Sequence, residues 1–267
     1  MRRLAALAAL VLAAATGCGS NGDGPEGEGR LAAGLHRGPI ELTAGEELVG
    51  EAGAVVRGGI RIRGDGVTVR GVSVTGGLNG IDVDESAGVV LDGVRVSGAR
   101  LDGIHVRRSS VTIRNCRVDT VGNPWGQGID ISFSFDRGES LVEGCTLLGG
   151  REGIVTHSSR VRLRGNRVRD TTLRGIAVTE MSLGQISGNR VDEALGVGIF
   201  CGDRSQCAIV RNSVTGTRPD PASGDLTRMG YAIQAHFGAQ ATLRRNTLVG
   251  NARGTSAFFG ASLRSPP

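Results

Sequence analysis

The 267-residue sequence predicts an all-β solenoid, with short strands stacked coil upon coil around one continuous core. Three observations predict it. The dipeptide Gly-Ile recurs at Gly80-Ile81, Gly103-Ile104, Gly128-Ile129, Gly153-Ile154, Gly175-Ile176 and Gly198-Ile199, its isoleucines 23, 25, 25, 22 and 23 residues apart, and a variant, Ala232-Ile233, follows after 34. Each occurrence opens a run of period two, Ile81 and Val83, Ile104 and Val106, Ile129 and Ile131, which is the pattern of a strand with one face buried. A second motif of the form V-x-I-x-x-N-x-V follows, as in VTIRNCRV at 111–118 and VRLRGNRV at 161–168. Composition agrees: with 45 glycines, seven prolines and 3% aromatic residues, the core must be packed from small branched side chains used many times over.

In chain order, the first element is MRRLAALAALVLAAATGCGS, two arginines followed by an apolar run and then small residues, which reads as a secretory signal. The run is too short and Ala-rich for a permanent membrane span. Ala15-Thr16-Gly17-Cys18 resembles the bacterial lipobox, departing from it at Ala15, where Leu is usual. The resemblance implies a signal peptide at 1–17, a lipid on Cys18, and an extracytoplasmic protein held at a membrane. Residues 18–35, Gly-rich and acidic, read as a flexible tether. The solenoid is expected over 36–260, with residues 31–58 capping its first coil and Phe258 and Phe259 covering the last, followed by a tail at 261–267. Unprotected ends would expose pairing edges.

Within the second motif, one position runs Val72, Val94, Cys116, Cys145, Asn166, Asn189, Asn212, Asn246, a column in which stacked amides can hydrogen-bond at the strand repeat of about 4.8 Å. The preceding residue is often glycine (Gly71, Gly93, Gly144, Gly165, Gly188), as a left-handed turn requires. Beyond Cys18 four cysteines remain. Cys201 and Cys207 bracket a turn on inward positions and are expected to form a disulfide. Cys116 and Cys145, in one column, are read either as a second disulfide or as two buried thiols.

These residues resemble the right-handed parallel β-helix, in particular the repeat of carbohydrate-binding and sugar-hydrolase β-helix domains of the pectate-lyase-like superfold, over residues 39–252. The resemblance implies one domain, a single-stranded right-handed parallel β-helix of roughly eight coils with three short strands each. The crossover rule favours the same hand. The opening coils also look like periplasmic members linked to nitrous oxide reductase maturation, which implies an accessory role as an alternative.

Stacking turns distant positions into vertical neighbours. The first outward position after Gly-Ile reads Asp82, His105, Asp130, then Val155, Ala177, Phe200, Gln234; the second reads Asp84, Arg107, Ser132, His157; the residue before Gly-Ile reads Asn79, Asp102, Gln127, Glu152, Arg174, Val197, Tyr231. A histidine between carboxylates has its charged form favoured and suits acid–base work or a cation site. Asp82, His105, Arg107 and Asp130 are therefore the candidate catalytic group, and Asp84, Asp102, Glu152 and His157 the candidate substrate contacts, beside a solvated-surface alternative. Trp125 and Tyr231, the single Trp and Tyr, end lengthened loops on this face and could stack on sugar rings, or Trp125 could plug its loop against the cylinder. A column of alternating sign, Arg70, Asp92, Arg114, Glu143, Arg164, reads as a structural ion-pair ladder, and Arg95, Arg117, Arg167 and Arg190 as solvated charges or a polyanion stripe.

Net charge is +5 and all 31 basic residues are arginine, so a lysine base or Schiff base is excluded. Acidic residues are interspersed, and no nucleic-acid partner is expected. No C-x-x-C or H-x-x-x-H spacing suggests a metal centre. The resemblance leaves calcium open, because pectate-lyase-like members hold it with carboxylates and use an arginine base, but no motif carries those residues over. Arg107 beside Asp84 and His105 is only a geometric analogue, and the D-P-H signature of alginate epimerases is absent. The expected partner is a polysaccharide, met by a monomer acting as a lyase or hydrolase; the alternative is a non-catalytic glycan-binding or structural surface lipoprotein.

Overall fold

The computed structural model describes residues 29–120 and 122–265; the expected signal segment, Cys18 and residues 18–28 of the expected tether lie outside the described residues. The described chain is a right-handed parallel β-helix. Its three parallel sheets hold 10, 11 and 10 strands, and each coil adds one strand to each sheet. The strands beginning at Gly-Ile, such as Ile81–Asp84, Ile104–Arg107 and Ile129–Ser132, form the first sheet. Strands such as Val89–Asp92 form the second and Arg95–Ser97 the third. There are about ten coils, close to the roughly eight expected. Arg30–Leu31 and Gly34–Arg37 are already paired strands inside the segment read as tether, and residues 31–58 build coils rather than a cap. At the other end Ser262–Arg264 adds a strand within the expected tail.

The Gly-Ile repeat has a steric cause. A Cβ on Gly103 would stand 2.2 Å from Val118 Cγ1 and 2.7 Å from the carbonyl oxygen of Gly128; at Gly175 the same contacts fall on Val191 and Gly198. The corner between the third and first sheets is so tight that successive glycines stack directly on one another. The isoleucine that follows is wholly buried in each coil and shares one continuous core with the valines and leucines of the other two sheets.

Two polar ladders run inside this core. Asn166, Asn189, Asn212 and Asn246 form the expected column. The side-chain oxygens of Asn189, Asn212 and Asn246 each accept from the backbone N–H and the side-chain amide of the asparagine one coil earlier, at 2.9–3.1 Å, and that of Asn166 accepts the backbone N–H of Cys145 at 3.0 Å. The glycines before the ladder, Gly71, Gly93, Gly144, Gly165 and Gly188, all have φ of 63–65°. The second ladder is built of serines in a turn. Ser86, Ser109, Ser134, Ser159, Ser182 and Ser205 are fully buried where the first sheet turns into the second, the backbone N–H of each of the first five donating to the next serine's hydroxyl at 2.9–3.4 Å. Cys201 and Cys207 form the expected disulfide, with Cα atoms 6.3 Å apart. Cys116 and Cys145 are buried free thiols, as the second of the two readings has it. Outside, Arg114 meets Asp92 at 3.1 Å, Arg70 meets Glu47 at 3.3 Å, and Arg164 pairs with Glu143, so the alternating column is an ion-pair ladder.

Replacing Asn189 by Ala removes the acceptor of two Asn166 donors in the core and the side-chain donor to the carbonyl of Leu163. The expected loss is roughly 2–4 kcal/mol of unfolding free energy in a denaturant titration, with a smaller loss for Asn246→Ala at the half-buried end of the ladder.

Candidate functional site

The register of the first sheet brings the candidate residues together. His105 lies opposite Asp82 on one side and Asp130 on the other, and Arg107 opposite Asp84 and Ser132. The column continues upstream through Arg61 and Glu41 and downstream through Val155, Ala177 and Phe200.

Within this row the pairing differs from the expected Asp82–His105–Asp130 in one member. Asp82 is held by Arg63 at 2.5 Å and by the Asn79 amide at 3.1 Å, so its carboxylate is committed to the preceding coil. Asp102 takes its place. Its Oδ2 stands 3.1 Å from His105 Nδ1, while its Oδ1 accepts the backbone N–H of Gln127 at 2.9 Å. Asp130 Oδ2 lies 3.5 Å from the same nitrogen. Asp102 is buried, Asp130 is 9% exposed, and the imidazole is partly open. Nδ1 is therefore tied to carboxylates, and Nε2 has no hydrogen-bond partner among the described residues.

The electrostatics follow from this packing. The hydrogen bond that His105 Nδ1 donates to Asp102 raises the His105 pKa above its ordinary 6.5; burial opposes the shift, and the charges of Asp130, Asp102 and Asp82 add to it. Burial raises the Asp130 pKa as well, against a hydrogen bond from Ser132 and the nearby His157 and His105. An imidazole oriented by one carboxylate, beside a second carboxyl whose protonated form is favoured, can take a proton and return one.

The other candidates divide. Arg107 is exposed and makes no ion pair among the described residues, because Asp84 is engaged at 3.1 Å by Arg108 in the following turn. Arg107, two residues from His105 on the same strand face, is available to an incoming anion. His157 Nδ1 faces Glu180 at 3.1 Å, one coil beyond Ser132. Glu152 is buried against Arg174 at 3.0 Å, and that guanidinium lies 3.9 Å over the Phe200 ring; the pair is structural, which removes Glu152 from the substrate contacts. Trp125 does not plug its loop, since it is 72% exposed and the loop is tied down by Asn123 to Leu101 instead. Tyr231 packs edge-on to Phe258 five coils from His105, too far to share its substrate ring. Phe259, expected over the end of the core, is exposed on the side of the helix.

Asp102, His105 and Asp130 also offer three ligand atoms within 4.8 Å of one another, the one such group among the described residues. Two carboxylates and an imidazole suit a transition ion better than calcium, which takes six to eight oxygens.

Residues 58–248 match the family model described as right handed beta helix region. Among curated proteins no sequence match is found. The fold is similar to the enzymatically active domain of tailspike protein 2 of bacteriophage CBA120, with a TM-score of 0.68 and 12% identity over 88% of this chain and 42% of that one. It is similar to an alginate lyase from Paenibacillus sp. strain FPU-7, with a TM-score of 0.54 and 16% identity over 90% and 94% of the two chains. The A-module of the Azotobacter vinelandii mannuronan C-5 epimerase AlgE4 gives a TM-score of 0.60 and 15% identity over 82% and 64%. The chain thus spans less than half of the tailspike domain, and at these identities the likeness is one of fold.

A raised pKa in the folded state means that the Asp102–His105 pair stabilises the protein fully below the unfolded histidine pKa, about 6.5, and that the contribution fades as pH rises through the folded value. NMR titration of the His105 ring should give a midpoint above 6.5 in the native protein. Asp102→Asn, which removes the first cause of the shift, should lower that midpoint and flatten the loss of stability above neutral pH.

Proposed function

The chain belongs to the right-handed beta helix family, and from the chemistry of its first sheet we propose that it cleaves a uronate-containing polysaccharide by β-elimination. The observation that carries this reading is the convergence of Asp102, His105 and Asp130 from two neighbouring coils beside the unpaired Arg107. Asp102 fixes the orientation of the His105 imidazole through Nδ1 and leaves Nε2 to act as base.

 The base takes the proton on the carbon next to the uronate carboxyl. That electron pair forms a carbon–carbon double bond as the glycosidic carbon–oxygen bond breaks, and the departing oxygen takes a proton from Asp130, whose burial favours its protonated form. Arg107 binds the uronate carboxylate and stabilises the negative charge that grows on it during proton removal. The fold likeness to an alginate lyase and a mannuronan epimerase supports a polysaccharide as the substrate class.

Incubation of the protein with polygalacturonate and alginate should release unsaturated products that absorb in the ultraviolet. His105→Ala is expected to lower kcat by about 10²–10⁴-fold, and Arg107→Ala to act chiefly on KM. Reducing ends without unsaturation would mean hydrolysis instead. Loss on chelation with recovery on adding zinc would move the chemistry to a metal-bound water. Binding without turnover, lost with the exposed Trp125 ring, would make the protein a glycan-binding module.

The same reading places the protein outside the cytoplasm, anchored by a lipid on Cys18. The support is the Arg2-Arg3 apolar leader, the ATGC stretch and the Cys201–Cys207 disulfide, a bond that persists in oxidising compartments. Labelled fatty acid should be incorporated by the full chain in a bacterial host and not by Cys18→Ser.

A further inference from the structure

The turn that leaves the first sheet changes length along the helix. From Ile104, Ile129 and Ile154 the buried serine of the inner ladder comes five residues later, at Ser109, Ser134 and Ser159; from Ile176 and Ile199 it comes six later, at Ser182 and Ser205. In the shorter turns one residue is left-handed. In the longer ones two in succession are, Glu180-Met181 and Asp203-Arg204, and Phe237-Gly238 and Phe259-Gly260 repeat the form in the next two coils. The extra residue pushes the turn outward in four consecutive coils. A groove of about 730 Å³ lies along this edge, lined among others by Ser158, Glu180, Asp203, Arg204, Phe237 and Phe259.

The aromatic residues in this edge are out of keeping with their backbone. Phe237 has φ 48° and Phe259 φ 51°, a region in which bulky side chains are outliers, and they are 51% and 62% exposed. Equivalent positions elsewhere carry Glu85, Arg108, Ser158 and Asp203, and Phe133, outside the groove, is a third exposed phenylalanine of this kind; of the three, only Phe237 and Phe259 stack on each other. Exposed phenylalanines in left-handed turns help neither folding nor solubility, and strain of this kind points toward a function. The two rings stack at 5.3 Å and 15°, so Phe259 covers one face of Phe237 and leaves the other to the groove that Phe237 lines. Behind them His236 is 2% exposed, with neither ring nitrogen hydrogen-bonded, its ring edge-on to Phe237 at 4.0 Å. The Phe237 ring is therefore held firmly in place.

We propose that this groove is a second sugar-binding site, in which Phe237 takes the apolar face of a pyranose ring and Glu180, Asp203 and Arg204 bind its hydroxyls. The proposal rests on the polysaccharide reading and extends it along the axis. Glu180 is already bonded to His157, which lies opposite Ser132 in the coil beside His105. From Asp130 to Gln234 the column climbs four coils, roughly 19 Å at the spacing of a parallel sheet. Upstream, a hollow of about 400 Å³ lined by Arg61, Arg63, Leu78, Asn79 and Asp82 adjoins the first coil before His105. His105 thus lies between two hollows, as the bond-breaking group of a site for an extended chain would.

The test is affinity electrophoresis of the full chain through gels containing alginate, polygalacturonate or a soluble β-glucan. Phe237→Asn is the informative variant, because asparagine accepts a left-handed φ and should leave the melting temperature unchanged or higher. The expected result is a loss of retardation corresponding to about tenfold weaker binding, with Arg204→Ala losing less and His105→Ala retaining retardation. Retardation of Phe237→Asn equal to that of the native protein overturns the second site and leaves the polysaccharide reading standing. Failure of the native protein to be retarded by any of the three glycans overturns both. If Phe237→Asn melts at a lower temperature, Arg204→Ala decides alone, and unaltered retardation of that variant overturns the proposal.

Discussion

The reactive face depends on in-register parallel hydrogen bonding between successive coils. Glycine holds that register at the corner before the first sheet. A Cβ there would overlap both the valine of the same coil and the carbonyl of the next glycine, so any larger residue would force the coils apart. Once the corners stack, every side chain in the first sheet stands about 4.8 Å from its counterparts above and below. His105 and Asp130 meet only because of this, although 25 residues separate them.

A stack of this kind imposes a problem that the inner ladders solve. Each buried asparagine and serine presents donors and acceptors that its own coil cannot satisfy, and each is completed by the coil that follows. The core is therefore cooperative along its length, with satisfaction passed from one turn to the next rather than closed within a turn. On the outer surface the same stacking would set like charges against each other. The second sheet avoids this by alternating sign, and the first sheet by giving Asp82 to Arg63 and Asp84 to Arg108. His105 is the place where two carboxylates remain around a single imidazole, which is unfavourable for Asp130 as an ionised group and useful for proton transfer.

Periodicity made the strands legible. The Gly-Ile spacing yields the columns that the structure contains, including the His105 row, the asparagine ladder and the alternating ion pairs. What it missed has physical reasons. The strands at Arg30–Leu31 and Gly34–Arg37 fall where composition reads as tether and cap, because the Gly-Ile pair does not occur before Gly59-Ile60, which pairs in register with Ile81. The serine ladder falls in a turn, five or six residues after each isoleucine, where a strand-based pattern does not look. Asp102 was placed among substrate contacts because it precedes the strand. Its side chain reaches forward three residues to His105, while Asp82, the strand neighbour, is drawn off by Arg63 of the preceding coil. Glu152 looked available for a similar reason, since burial against Arg174 is a property of packing rather than of spacing.

The turns explain why chemistry and binding occupy different parts of one face. A strand position on a β-helix is fixed to within the register, which suits groups that must meet at hydrogen-bond distance, and Asp102, His105 and Asp130 lie in or beside strands. A turn can gain a residue without disturbing the coils, because the added residue projects outward and the inner serine keeps its place. The coils beginning at Ile176 and Ile199 do this, and the column beside them changes from charged residues to Val155, Ala177 and Phe200. Along the axis the face thus passes from a polar segment that can move protons to an apolar segment edged by a groove. A long, repeating ligand lying along the axis would meet both segments at once, whereas a small compact one would meet only the first.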